Sequence, residues 1–184
     1  MVVFERMSWK RMKYRLPNPT SFDSPQLIPV TDAWRALGLL RELAGQYGVD
    51  KNKVGLLEFS AGIHLATVAS LWKPASADER PNFPGLMYGT TNLSVENIQW
   101  LEESLYFCQM PPAFLAHASD DAVCYIEEST LYAQKLFENH ASVEMHLFPR
   151  GGHIFGLGRA EDGTNQWPGL FINLLKRLGE AKAN

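Results

Sequence analysis

A serine, a pair of aspartates and a histidine stand far apart in this chain and in that order: Ser60, Asp120-Asp121 and His153. Brought together, these types can split an ester or an amide. A serine hydroxyl is too weak an acid to attack a carbonyl carbon alone at neutral pH. An imidazole must take its proton and later return it to the leaving group. A carboxylate must hold that imidazole in one tautomer and stabilise its cation. Other readings stand beside this one. A serine at a strand–helix turn also serves as a plain N-cap, an aspartate pair as turn chemistry, and a histidine between glycines as a solvated surface residue. Of the two aspartates, the residues alone leave open which is catalytic and which structural.

Each group follows a run that reads as a buried strand, and ligands of such sheets bind at the carboxyl ends of the strands. Ser60 follows Lys53–Leu57, the aspartates follow Ala113–His117, and His153 follows Val143–Phe148. After Ser60 comes a small-residue and apolar run, Ala61 to Leu71. The layout is strand, sharp turn with a serine at its tip, then helix. Such a turn pushes Oγ clear of both elements, and the helix N-terminus offers the Ala61 N–H to a developing oxyanion. The usual turn is glycine-x-serine-x-glycine; here Glu58 occupies the first glycine's place. His64 lies one turn into the following helix, too constrained to act as the base. His117 falls at a strand end, while His140 and His146 read as exposed or structural.

The rest of the chain supplies the frame. Leu16 to Pro29 reads as a loop because of its four prolines. A helix capped by Thr31 or Asp32 runs to about Tyr47, with Trp34, Leu37, Leu40, Leu43 and Ala44 on one face and Gly48 at its end. Pro74 to Pro84 reads as a loop, Leu86-Met87-Tyr88 as a short strand, and Thr90 to Gln109 as one or two short helices. A helix from Ile126 to about Asn139 presents Ile126, Leu131, Ala133 and Leu136 or Phe137 inward, and a last helix spans about Trp167 to Leu178. Residues 1–15 suggest a short strand of unfixed register. Strands and helices alternate, which argues for a mostly parallel sheet flanked by helices. With 184 residues, one domain over 1–184 is expected.

Composition narrows the partners. A net charge of −3 offers no basic footprint for nucleic acid or an anionic membrane. No apolar run reaches the roughly 20 residues of a membrane span, and Glu5, Arg6, Lys10, Arg11, Lys13 and Arg15 break any clean signal peptide. Two cysteines, Cys108 and Cys124, make no disulfide framework and suit a reducing, cytoplasmic compartment. No group of His, Cys, Asp or Glu has metal spacing, and Gly156-Leu157-Gly158 lacks the preceding strand of a dinucleotide loop, so no cofactor is expected. Asn92-Leu93-Ser94 reads as a chance match to a glycosylation acceptor.

Several stretches resemble one superfamily. Phe59-Ser60-Ala61-Gly62-Ile63-His64-Leu65-Ala66 resembles the G-F-S-A-G-G-H-L-A nucleophile turn of the α/β-hydrolases, in the acetyl-xylan-esterase-like and carboxylesterase (lipase-like) branch. Similar to that branch are Tyr14-Arg15-Leu16-Pro17, Asp32 to Ala36, Tyr47-Gly48-Val49-Asp50, Pro111 to Val123, and Phe148 to Leu157, the last close to Y-P-x-G-G-H-G-F-G-L. The resemblance covers about Tyr14 to Leu178. It implies Ser60 as nucleophile, His153 as base, Asp121 rather than Asp120 as the orienting acid, and hydrolysis of short-chain carboxylic esters, acetylated sugars among them.

The departures set further expectations. The branch begins with additional strands and a His-Gly-Gly-Gly loop that supplies oxyanion donors, and this chain carries no such loop. The fold is therefore expected in reduced form, with one sheet edge bare. Either residues 1–15 cover that edge or two copies pair across it. Ile63 replaces the second glycine after the serine. Glu58 must point somewhere wet or be paired, since a lone buried carboxylate is costly. Against the esterase stand two other readings: a serine peptidase or amidase, for which no propeller or gating domain is seen, and a degenerate hydrolase fold that binds without turnover.

Overall fold

A computed structural model of the chain describes residues 10–16, 27–71, 76–91 and 110–179. Most of Thr90 to Gln109, Trp72, Cys108, the Asn92 sequon, residues 1–9 and most of the Leu16–Pro29 loop lie outside the described residues. Four strands form one sheet: β1 Leu56–Phe59, β2 Pro84–Met87, β3 Ala113–Ala118 and β4 Val143–Phe148. They lie in the order β1-β2-β3-β4 and every pairing is parallel. All four carboxyl ends therefore share one edge, at Phe59, Met87, Ala118 and Phe148. The loops carrying Ser60, Tyr88, Asp121 and His153 leave from it.

The helices are α1 Leu27–Glu42, the single turn α2 Ala44–Tyr47, α3 Gly62–Leu71, α4 Ile126–Glu138 and α5 Trp167–Arg177. The pleat sorts the core between them. On β3, Phe114, Ala116 and Ala118 face α5, where they pack with Trp167, Phe171 and Leu175. Ala113 and Leu115 face the other way, toward Ile63 and Ala66 of α3 and Tyr132 and Leu136 of α4. Because β3 is covered on both faces, all six of its residues are buried. α3 is buried almost all round, since its opposite side packs Leu65, Val68 and Ala69 against Val30, Ala33 and Trp34 of α1. The Trp34 indole N–H donates to the Ala69 carbonyl at 3.0 Å, which fastens the two helices.

Three expectations change. α1 begins at Leu27 and includes Pro29, because a first-turn residue has no intrahelical N–H bond to lose. Asp32 does not cap it; its carboxylate binds the Arg15 guanidinium and backbone N–H, with a shortest contact of 2.7 Å. α4 turns Ser129, Tyr132 and Leu136 inward, while Phe137 is 74% exposed. The apolar count found Leu136 but not Ser129 and Tyr132, which carry hydroxyls. At the β1 edge, residues 10–16 form no strand; Met12 and Tyr14 instead pack their side chains beside Leu56 and the α1–α3 cluster. No helix among the described residues is long and apolar enough to cross a membrane.

Candidate active site

The turn after β1 bends as the local sequence requires. Ser60 has a φ of 51°, a region that costs a non-glycine residue about 1–2 kcal/mol. Two backbone bonds hold it there. The Ser60 N–H donates to the Met87 carbonyl at 3.0 Å, and the Ile63 N–H donates to the Ser60 carbonyl at 3.0 Å. The neighbouring loop comes so close that a Cβ on Gly89 would lie 2.1 Å from the Ser60 carbonyl oxygen. Glycine is thus a packing requirement at 89.

From that turn a chain of hydrogen bonds runs inward. Ser60 Oγ lies 2.7 Å from His153 Nε2, and His153 Nδ1 lies 2.8 Å from Asp121 Oδ2. A carboxylate oxygen can only accept, so Nδ1 carries the proton and Nε2 offers its lone pair to the serine hydroxyl. The Asp121 side chain is fully buried, and the His153 ring is 11% exposed. Burial works against the Asp121 charge. The bond from His153 and the N–H groups of Cys124 and Val123 outweigh it and hold the carboxyl below its ordinary value. Those two N–H groups donate to Oδ1 at 3.0 and 2.8 Å.

The aspartate pair divides its work. Asp120 Oδ1 accepts the Gly152 N–H at 2.7 Å and so ties the loop after β3 to the loop carrying His153. That loop is also fastened by Arg159, which donates to the Gly151 carbonyl at 2.7 Å, and by the Trp167 indole, which donates to the Gly156 carbonyl at 2.9 Å. Gly151 is packed so that a Cβ would sit 2.8 Å from Thr164 Cγ2.

Among the other histidines, His64 Nδ1 meets the Thr91 carbonyl at 2.9 Å, a structural bond. His117 is buried at the end of β3, His146 meets Glu144 at 2.8 Å, and His140 is exposed. Among the described residues, no group of three or more His, Cys, Asp or Glu could hold a metal ion. Ala61 follows the serine and precedes the first residue of α3.

One wall of the site escaped sequence reasoning. Tyr88, read only as strand, sits just past β2 with a φ of 44°. Its ring meets the His153 imidazole edge-on, 5.5 Å between centroids at 77°, and packs on Phe155 at 4.4 Å. Burial pushes its hydroxyl's pKa up, partly offset by the Gly156 N–H. The only advance signal was its place at the edge shared by the three candidates.

Glu58 is neither fully wet nor held by an ion pair. It fills the space at the start of α3, where a Cβ on Gly62 would lie 2.3 Å from Glu58 Oε2. Burial pushes its carboxyl up to about 7, partly offset by the Phe59 N–H. The folded value exceeds the unfolded one of 4.5, so the stability linked to this group is complete below 4.5 and is lost as pH rises through 7. At full ionisation the loss is about 3 kcal/mol. Urea unfolding at pH 5 and pH 8.5 should show Glu58→Gln more stable than the wild type at the higher pH, with the gap closing at the lower. Equal pH slopes for both proteins would refute this account.

Comparisons with known proteins bear on the family and the fold. Residues 59–167, more than half of the chain, match the prolyl oligopeptidase family. An acetylxylan esterase of Xylanibacter ruminicola is 25% identical over 170 residues, covering 80% of this chain and 34% of its own length. Endo-1,4-beta-xylanase B of Butyrivibrio fibrisolvens is 27% identical over 161 residues, covering 73% of this chain and 25% of that protein. The chain thus spans about a third or less of these curated relatives. Among solved structures, the acetyl ester-xyloside bifunctional hydrolase of Caldicellulosiruptor lactoaceticus superposes with a TM-score of 0.73 at 28% identity, over 92% of this chain and 71% of that one. Thermogutta terrifontis esterase 2, at 22% identity and a TM-score of 0.68 over 85% of this chain and 67% of its own, shares the fold. The parallel sheet flanked by helices is the α/β-hydrolase fold, and the chain belongs to the prolyl oligopeptidase family.

Proposed function

We propose that the protein is a serine hydrolase that cleaves short-chain carboxylic esters through an acyl-enzyme. The observation that carries this reading is the unbroken chain Ser60 Oγ–His153 Nε2, His153 Nδ1–Asp121 Oδ2. Ser60 attacks the ester carbonyl as His153 takes its proton. The imidazolium that forms is stabilised by Asp121. It then protonates the departing alcohol, leaving the acyl group on Oγ. Water, deprotonated by the same imidazole, attacks the acyl carbon; as the C–Oγ bond breaks, the imidazolium returns the proton to Oγ and the acid leaves. The Ala61 N–H at the start of α3 donates to the oxyanion. Losing one oxyanion donor typically costs about 100- to 1,000-fold in kcat. Acetyl groups on sugars are the proposed substrate class, supported by the names of the acetylxylan esterase and the acetyl ester-xyloside hydrolase. No cofactor is needed for these steps, and one domain over 1–184 would contain all of their residues.

The family's name supports a second reading, cleavage of peptide bonds. An amide demands more of the oxyanion donors and of the acid that protonates its amine. The names of the acetylxylan esterase and the acetyl ester-xyloside hydrolase favour the ester. A fluorophosphonate probe is expected to label Ser60 under native conditions. With matched aryl ester and aryl anilide substrates, the ester should turn over far faster. No labelling would leave the fold as a binding module, and comparable anilide turnover would favour the peptidase.

A further inference from the structure

The hydrogen-bond chain does not end at Asp121. His117, the fifth residue of β3, is completely buried and contacts the same carboxylate. Its Nε2 is 3.2 Å from Asp121 Oδ2 and 2.9 Å from the Cys124 carbonyl. Its Nδ1 is 2.7 Å from the hydroxyl of Ser129, which is itself buried on α4. A backbone carbonyl only accepts, so the proton sits on Nε2 and is shared between Cys124 O and Asp121 Oδ2. The Ser129 hydroxyl then donates to the bare Nδ1.

We infer that His117, locked by Ser129, is a positioning residue for the acid–base pair: it holds Asp121 Oδ2 in line with His153 Nδ1. The inference rests on the hydrolase reading above. A carboxylate has two oxygens and about four acceptor sites. Here Oδ1 takes the N–H groups of Val123 and Cys124, and Oδ2 takes His153 and His117. The first two donors set the tilt of the group. Among the described residues only His117 shares Oδ2 with the catalytic imidazole, and it comes from a central strand rather than from the loop. It thus ties a loop carboxylate to a fully buried strand, and Ser129 of α4 in turn fixes its ring. A carboxylate held this way needs no reordering when His153 becomes charged, which is where preorganisation lowers a barrier.

Removing the N–H has two consequences. The carboxylate loses alignment, so kcat falls. It also becomes a stronger acceptor for His153 alone, so the imidazolium is better stabilised and the acid limb of the pH–rate profile moves up. For 4-nitrophenyl acetate hydrolysis, His117→Leu is expected to lower kcat about tenfold, the size of one hydrogen bond, with KM unchanged and the acid limb raised. His117→Gln, whose amide N–H reaches the place of Nε2–H, is expected to restore both. A well-folded His117→Leu variant with wild-type kcat and limb would overturn the role. So would equal losses in Leu and Gln with an unmoved limb, the signature of packing alone. Should the leucine variant fail to fold, ring 15N shifts of the wild type still decide: a proton on Nδ1 and none on Nε2 at His117 sinks the inference. A wild type that neither hydrolyses the ester nor takes the fluorophosphonate brings down the hydrolase reading and this role together. A working wild type matched by its His117 variants brings down this role alone.

Discussion

Ser60→Ala is expected to lower hydrolysis of a short aryl ester by about 10,000- to 1,000,000-fold. Alanine removes the atom proposed to bond to the acyl carbon, and His153 Nε2 is left with nothing to deprotonate but water. The fold should be little affected. The bonds that shape the turn are backbone bonds, from Ser60 N–H to Met87 and from Ile63 N–H to Ser60, and alanine keeps both. The strain at a φ of 51° is the same for either side chain. Steady-state rates together with a thermal melt read both halves of this outcome. A variant with the wild-type rate would remove Ser60 as nucleophile. A variant that melts far lower would mean that the hydroxyl supports the turn.

Asp121→Asn is expected to cost about 10,000-fold in kcat with KM nearly unchanged. The local geometry states why an almost isosteric change does so much. The Val123 and Cys124 N–H groups point at Oδ1, so the amide oxygen must take that place. The amide NH2 then occupies the Oδ2 position and faces His153 Nδ1. It donates there and drives the imidazole proton to Nε2. A protonated Nε2 cannot accept from Ser60. The same NH2 confronts the Nε2–H of His117, two donors aimed at each other 3.2 Å apart. The variant should therefore be less stable as well as slow. Rates measured beside unfolding curves test both parts, and a variant within tenfold of the wild-type kcat would end the assignment of Asp121 as orienting acid. Asp120→Asn provides the contrast: its oxygen can still accept the Gly152 N–H, so the effect should be small.

The contrast between the two aspartates marks how far local patterns reach. Strand and turn signals placed both residues at the catalytic edge, but adjacent residues in a turn point in different directions. Only the packing of the His153 loop decides which one meets the imidazole. The resemblance to the α/β-hydrolases selected Asp121, and the contacts show what each residue does: one bonds an imidazole, the other a backbone N–H. Glu58 teaches a related point. Its type at that position signals a departure from the usual turn, yet whether it ionises depends on how much of α3 and the sheet covers it. Tyr88 carries no local signature, because its role is a contact with a residue 65 positions away that forms only when the strands are in register, whereas His117 meets Asp121 four positions on, within the end of β3 and its turn.

The amino-acid sequence by itself determined the alternation of strands and helices, the strand–turn–helix around Ser60, and the placing of Ser60, Asp121 and His153 after three strands. Those features depend on residue type and short-range periodicity, which act over a few residues. Tertiary structure alone decided the distances in the hydrogen-bond chain, the buried face of α4, the wall made by Tyr88, the near-neutral titration of Glu58 and the second histidine behind Asp121. These depend on burial and on the mutual direction of groups from different strands. That information exists only once the parallel sheet brings its carboxyl ends to a common edge.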